Sequence, residues 1–554
     1  MQTRVTHLFA LVVSALLLSA CGSTKKASQS GLSFKKRSQF NEIYFRAAKK
    51  KVLGNYTEAA QEFAKCLEID PNSHAVMYQM ANINMAVSNF TDAVYWAERS
   101  VETNNKFNYW YSGQLAQAYS KIASFDKSAK VFETMIAAEP DKRLNYTEAG
   151  KQYINDGNFK KSAKIMRKYV DKFGIDEESA RLLEGLSVRL GKPKDAVAWM
   201  KQLADAHPNE VRFQGLLAET HLRAGQVEEA KTIYYGILTS APENGYAHFG
   251  LADIYKKEGN VDSSFSHLES AFSDRQTPIE MKMKVIGSFI PYIRRDKDMK
   301  AQALTLSEKL TNAHFDEAKA WLVRGDILHA AQNLSKAREA LKVAVDLDPS
   351  NMTAWRKILS IDDEMMHYEF LVYDSKTAIE FFPNQPFLYI INSYAHYTLL
   401  EYQEAQDRAK EGLEIALLPT DRSDLLSTLG DAEYMLKNYQ ACFEAYEEVL
   451  EIQPSDAGAL NNYAYYLSEQ DTALDRALEM INKALEEESN IPTYLDTKGW
   501  VLYKLKRYED ALAYLKKAYT ALPKDKEVAS HYRDCLLKLG KTDEAKQITE
   551  KHGL

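Results

Sequence analysis

The hydrophobic pattern of this chain is helical and periodic. Leu, Tyr and Phe recur at i, i+3 and i+4 with charged residues between them, the spacing of helices that bury one face. Prolines at positions 71, 140, 208, 242, 278, 349, 383, 419, 454, 492 and 523 stand 34, 35 or 36 residues apart in most adjacent pairs, or about twice that where one is missing. A fixed period of this length means stacked supersecondary units, each burying its apolar face against its neighbours. Aligned on these prolines, small residues take fixed places: Gly325, Ala337 and Ala344 precede Pro349, with Trp321 near the start, and Gly499, Ala511 and Ala518 precede Pro523. Two helices that cross closely leave no room for a larger side chain there.

Turns between the paired helices recur as Gly54-Asn55-Tyr56, Gly157-Asn158-Phe159, Gly225-Gln226-Val227, Gly259-Asn260-Val261, Lys437-Asn438-Tyr439 and Lys506-Arg507-Tyr508. Glycine there supplies a helix C-cap, and the residue after the turn pins the second helix. Together these features resemble the tetratricopeptide repeat (TPR), a helix–turn–helix with a proline after its second helix. The resemblance implies an all-α fold, a TPR α-solenoid wound as a right-handed superhelix of about fourteen repeats. It divides the chain into an N-terminal array over 39–278, a divergent helical segment over 279–317 and a C-terminal array over 318–554. The repeat signature fades again near 352–385, a second place for a bend.

Composition agrees with helices. Gly 23 and Pro 14 in 554 residues are together about half the usual share, which disfavours a turn-rich β fold. Four cysteines in so long a chain cannot build a disulfide framework. A formal charge of −7 provides no global basic field, so nucleic acid is not an expected partner.

The amino terminus reads as an export signal: Arg4, an apolar run from Leu8 to Leu18, then small residues. Leu18-Ser19-Ala20-Cys21 resembles the bacterial lipoprotein box. That resemblance implies a signal peptide over 1–20, acylation of Cys21 as the first mature residue, and, with Gly22-Ser23 following, retention at the outer membrane on its periplasmic face or at the surface. Residues 21–38 then form a lipidated, basic, flexible tether. Over 25–51 nine basic residues face one acid, Glu42, a balance that attracts lipid headgroups. Residues 401–490 carry 21 acids and 6 bases, so charge is strongly asymmetric along the chain.

Candidate chemistry is sparse. Cys66, Cys442 and Cys535 fall at register positions that want small packed residues, and read as alanine substitutes. The twelve histidines show no metal-ligand spacing, and no cofactor or metal is expected. Gly540-Lys541-Thr542 echoes the end of a phosphate-binding loop but lacks its first glycine. Adjacent acids such as Asp362-Asp363 diverge around a helix and read as solvated surface. No catalytic constellation emerges, and an enzyme is not expected.

The segment from Leu460 to Leu515, with LNNYAYYL and YLDTKGWVLY in it, looks like the terminal repeats of TPR lipoproteins of bacterial envelopes, especially of the Bacteroidota. By that resemblance the first helix of each unit lines a concave face, where Asp424, Asp431 and Tyr434, then Asn461, Tyr465 and Ser468, then Asp496, Trp500 and Tyr503 would point at a bound peptide. Asparagine can satisfy both groups of an extended backbone, aromatics supply rigid contact area, and carboxylates select basic side chains. Asp431 and Asp496 would repel the carboxyl terminus that chaperone-type TPR grooves clamp. Asp471-Thr472-Ala473 resembles an O-glycosylation acceptor of the same bacteria, with Thr472 the modified residue. The expected function is a non-enzymatic, lipid-anchored scaffold for protein partners in an envelope complex serving outer-membrane protein assembly, secretion or cell-wall synthesis, with no small-molecule substrate. The alternative is a surface glycan-binding lipoprotein of the starch-utilisation type, against which six Trp, little Gly and tightly kept repeat lengths argue.

Overall fold

A computed structural model describes residues 31–554. Within them thirty α-helices pair into fifteen antiparallel hairpins, and no strand occurs. Most first helices are 13 residues long and most second helices 14, as in His74–Ala86 with Phe90–Thr103 and Pro492–Lys504 with Tyr508–Ala521. The hairpins form two compact units, one ending at Pro242 and the other running from Glu243 to Leu554. The residues read as a signal peptide, Cys21 and most of the stretch read as a tether lie outside the described residues. The first helix, Phe34–Val52, begins inside the stretch read as tether, because Phe40, Ile43, Tyr44 and Ala47 bury one of its faces against the next helix.

The small residues of the repeat sit where the helices of each hairpin cross. Ala47 and Ala59, Ala81 and Ala93, and Ala337 and Ala511 are fully buried, and Gly325 and Gly499 stand against Leu341 and Leu515 of the paired helix. Three hairpins of the same register use serine instead, and its hydroxyl donates to the first helix: Ser128 to the Ala116 carbonyl (2.7 Å), Ser162 to Gly150 (2.9 Å) and Ser264 to Ala252 (2.8 Å). The three cysteines read as alanine substitutes are buried and free. Burial pushes the Cys66 and Cys535 thiols up to about 11 and Cys442 up to about 12, which removes the reactive thiolate.

Outside the segment 279–317, the turn into each second helix holds a residue in the left-handed region. Gly54 (φ 83°) and Gly157 (φ 74°) supply it without strain. The second unit places Lys437 (φ 65°) and Lys506 (φ 63°) in the same conformation, held by the packed helices on either side.

The segment 279–317 breaks the pattern. Pro278 opens a helix of only nine residues, Ile279–Gly287, followed by a 3₁₀ turn at Ile290–Tyr292 and a longer helix, Lys297–Ala313. Lys282 locks this irregular corner. It is fully buried, and its ammonium donates to the Phe272 carbonyl (3.0 Å), the Asp274 carbonyl and His314 Nε2 (2.9 Å). Burial lowers Lys282 to about 8, which still leaves it charged near neutral pH. Lys282→Met is expected to destabilise this corner by about 2 kcal/mol, since it strands buried acceptors. Amide exchange of residues 261–313 would rise if so, and unchanged exchange would refute the lock.

One reading of the acids is corrected. Asp363 is exposed, but Asp362 is fully buried, as is Asp374. Arg338 Nε and Nη2 reach Asp362 and Asp374 respectively, and Lys342 Nζ lies 2.7 Å from the second Asp374 oxygen. Adjacent residues do diverge around a helix, and that divergence sends Asp362 inward while Asp363 faces solvent. Burial, with a smaller push from Asp374, raises the Asp362 carboxyl against the pull of Arg338.

Candidate functional site

The first helices of the last three hairpins repeat one register. Asn461, Tyr465 and Ser468 lie at i, i+4 and i+7 on Ala457–Glu469, and Asp496, Trp500 and Tyr503 take the same places on Pro492–Lys504. Lys526–Lys538 continues the column with His531. These side chains meet. Asp496 Oδ2 lies 2.8 Å from His531 Nδ1, and the Trp500 ring stacks on His531 at 4.0 Å and on Tyr503 at 4.7 Å. Trp500 Nε1 donates to Glu469 at 2.7 Å, and Lys504 Nζ sits 5.2 Å above the Trp500 ring. The Tyr465 hydroxyl donates to Glu527, two first helices further on, so this pair spans over the Asp496 helix.

The cluster is built into the packing. Asn461 is 8% exposed, Asp496 6% and Trp500 8%, whereas Tyr465 and Tyr503 are half-buried and Ser468 is buried, donating to the Tyr465 carbonyl. Trp500 therefore bridges neighbouring helices as a packing residue and leaves only an edge to a ligand. Two acceptors, Asn461 Oδ1 and Asp496 Oδ1, are buried without a donor among the described residues. His531, Glu469 and Glu527 were missed by sequence reasoning, although His531 stands at the register position of Asn461 and Asp496.

Asp431 and Tyr434 belong to a second cluster, one hairpin earlier, on Pro419–Met435. Asp431 Oδ1 accepts from the Tyr446 hydroxyl and, at 2.8 Å, from the Tyr466 hydroxyl, and Tyr434 stacks on Tyr466 at 4.0 Å. Burial pushes the Asp431 carboxyl up to about 6, against the lowering effect of the tyrosine and Asn462 donors. Asp424 is exposed, apart from these bonds, and partial desolvation with the Asp421 and Asp456 carboxylates raises it. An unfolded aspartate titrates near about 3.9. Between that value and about 6 the folded chain holds the Asp431 proton and the unfolded chain does not, so stability rises as pH falls through this window. Amide protection of residues 419–469 is expected to increase from pH 7 to pH 5, and Asp431→Asn to flatten that change.

Thr472 is exposed in the loop between Ala457–Glu469 and Leu474–Glu487, flanked by Asp471 and Ala473 in left-handed conformation. A cavity of about 650 Å³ in the first unit lies beside Glu184 and Arg223, which pair at 3.1 Å, and an apolar one of about 520 Å³ in the second is walled by Phe249, Leu268, Phe289 and Met299. Among the described residues no group of three or more His, Cys, Asp or Glu is placed to hold a metal, and no helix is long and apolar enough to cross a membrane.

Comparison with known proteins agrees with the repeat geometry. Three family models, each described as tetratricopeptide repeat, match residues 187–235 and 502–553, residues 301–351 and 470–526, and residues 52–73. The chain is similar to the TPR repeat-containing protein PA4667 of Pseudomonas aeruginosa, with 32% identity over 26% of this chain and 24% of that protein, so it spans about a quarter of that relative. It is also similar to the TPR repeat-containing protein MJ1428 of Methanocaldococcus jannaschii, with 22% identity over 70% of this chain and 76% of that one. Among solved structures, Naa15/Naa10 bound to HypK-THB is similar over 92% of both chains, at 14% identity and a TM-score of 0.39. Tetratricopeptide repeats are thus found over residues 52–73, 187–235, 301–351 and 470–553, within an all-helical solenoid of paired helices, an architecture that suits a scaffold for protein–protein interaction.

Proposed function

We propose that this chain is a lipid-anchored scaffold of the bacterial envelope, acylated at Cys21, whose C-terminal hairpins hold a protein partner in an assembly of the outer membrane. The carrying observation is the repeated register that sets Asn461, Asp496 and His531 on successive first helices beside Tyr465, Trp500 and Tyr503. The donor-free Asn461 and Asp496 oxygens are acceptors for backbone N–H groups or a basic side chain of a partner segment. The half-buried Tyr434, Tyr465 and Tyr503 give it contact area, and Asp424 adds charge. Thr472 lies in an exposed loop, open to glycosylation. Short loops between helices favour this reading over glycan binding, which needs long loops to build a sugar platform.

The test is affinity isolation from detergent-solubilised envelopes, combined with metabolic labelling by a fatty-acid analogue. Label on the wild type and not on Cys21→Ser, with a stoichiometric protein complex lost in Tyr465→Ala/Tyr503→Ala, supports the proposal. An unlabelled chain sinks the anchor, and retention on polysaccharide without a protein partner sinks the scaffold.

A further inference from the structure

The outer face of the first described helix, Phe34–Val52, is unlike a capping helix. Terminal units of a solenoid need a polar outer face for solubility. Here Phe34 is 90% exposed, Phe45 70%, Val52 82% and the following Leu53 66%. Phe34, Phe45 and Val52 are separated by 11 and 7 residues, close to whole turns at about 3.6 residues per turn. They therefore align on the side opposite the buried Ile43 and Ala47, with the exposed Ser38 and Asn41 between Phe34 and Phe45. No described element covers that stripe.

Cations flank it. The segment 34–53 contains seven basic residues and one acid, Glu42, in a chain whose net charge is −7. Three of the seven are engaged: Arg46 pairs with Glu42 and Glu62, Lys50 with Glu58, and Lys51 donates to Gln79. Lys35, Lys36 and Lys49 are exposed and form no ion pair among the described residues, and neither does Arg37. Lys49 lies four residues past Phe45 and three before Val52, so its charge borders the apolar line.

An apolar stripe edged by unpaired lysines on an exposed helix is the arrangement that lies in a membrane interface, rings and aliphatic groups entering the headgroup boundary while the ammonium groups meet anionic lipid. We infer that Phe34–Val52 is a membrane-docking helix that sets the first hairpin of the array on an anionic bilayer, independently of any acyl chain at Cys21. Charge complementarity picks this occupant: the acidic remainder of the chain is repelled by such a surface as a whole, while Phe34–Val52 joins basic charge to exposed apolar groups; the comparably basic Phe159–Phe173 exposes no large apolar side chain. A second protein copy would bring its own exposed lysines to the same face, and self-association through its acidic residues 401–490 is an outcome that the experiment distinguishes.

The experiment is vesicle flotation with the chain from residue 21 onward carrying Cys21→Ser, which retains every described residue and has no acyl chain. Binding to phosphatidylglycerol-containing vesicles, absent with pure phosphatidylcholine and weakened by added salt, is expected. At about 1 kcal/mol per basic residue near the surface, each of Lys35→Gln and Lys49→Gln should lower partitioning on the order of fivefold, and Lys36→Gln, on the side of the buried Ile43 and Ala47, by less. Phe45→Ser with Val52→Ser should weaken binding and leave its salt dependence in place. Because these side chains are exposed, the variants keep the helical circular dichroism of the parent. The inference is overturned if the parent does not float with anionic vesicles at low salt. It is equally overturned if the triple lysine variant floats like the parent, or if the chain self-associates in solution through the stripe and Phe45→Ser abolishes that association.

Discussion

Arg338→Met is expected to destabilise the hairpins around it by about 3–5 kcal/mol, the usual cost of breaking a buried ion pair by removing one partner. Asp362 and Asp374 have no exposed surface, and Arg338 is the group that touches both. Its removal leaves Asp362 without a counter-ion and Asp374 with Lys342 alone. The cost arises from stranded charge more than from lost packing, and a second variant separates the two. In Arg338→Met/Asp362→Asn/Asp374→Asn the charges are gone while the shapes are nearly kept, so most of the loss should be regained. Stability in a repeat array is local, a sum over units and their contacts. The measurement is therefore amide exchange over residues 334–381 rather than a single melting temperature. A triple variant no more stable than Arg338→Met would show that the arginine acts by packing alone.

Gly499→Leu is expected to cost at the upper end of the about 1–3 kcal/mol typical of overpacking. A Cβ added to Gly499 would stand 2.6 Å from Leu515 Cγ and 3.1 Å from the Leu515 backbone nitrogen, and a Cβ on Gly325 would meet Leu341 Cγ at the same 2.6 Å. Two hairpins far apart in sequence thus obey one steric rule. Gly215 sits in the interior of Val211–Arg223, yet a Cβ there meets nothing within 4 Å. Gly215→Ala should therefore stabilise its helix, by about 0.5–1 kcal/mol from reduced backbone entropy. Opposite signs from two helical glycines, read by urea unfolding of each variant, would confirm the distinction. Matching signs would refute it.

Much of the site was legible as register. Asn461, Tyr465, Asp496, Trp500 and Tyr503 do share one side of two neighbouring first helices, as a 35-residue spacing requires. What register could not tell was depth. Trp500 and Asp496 share one side of their helix, yet stacking of the Trp500 ring on His531 and a hydrogen bond between Asp496 and His531 draw both almost wholly inside. Asp431 is likewise closed over by the Tyr446 and Tyr466 hydroxyls. The exposed stripe of Phe34, Phe45 and Val52 was invisible for the converse reason: apolar residues at helical spacing look alike whether or not another helix covers them.

The sequence by itself determined the helices, their length, the places where they cross and the residues small enough to stand there, because each of these is a local or nearest-neighbour constraint repeated at a constant interval. It equally determined that Cys66, Cys442 and Cys535 are packed and inert. Only the tertiary structure decided which charges are buried and what neutralises them. Arg338 meets carboxylates 24 and 36 residues away, and Lys282 meets a carbonyl 10 residues before it and a histidine 32 after it. Periodicity assigns a side chain to a face, but electrostatic partnership depends on which atoms three-dimensional packing brings within a few ångströms, and that distance is not a property of any repeat taken alone.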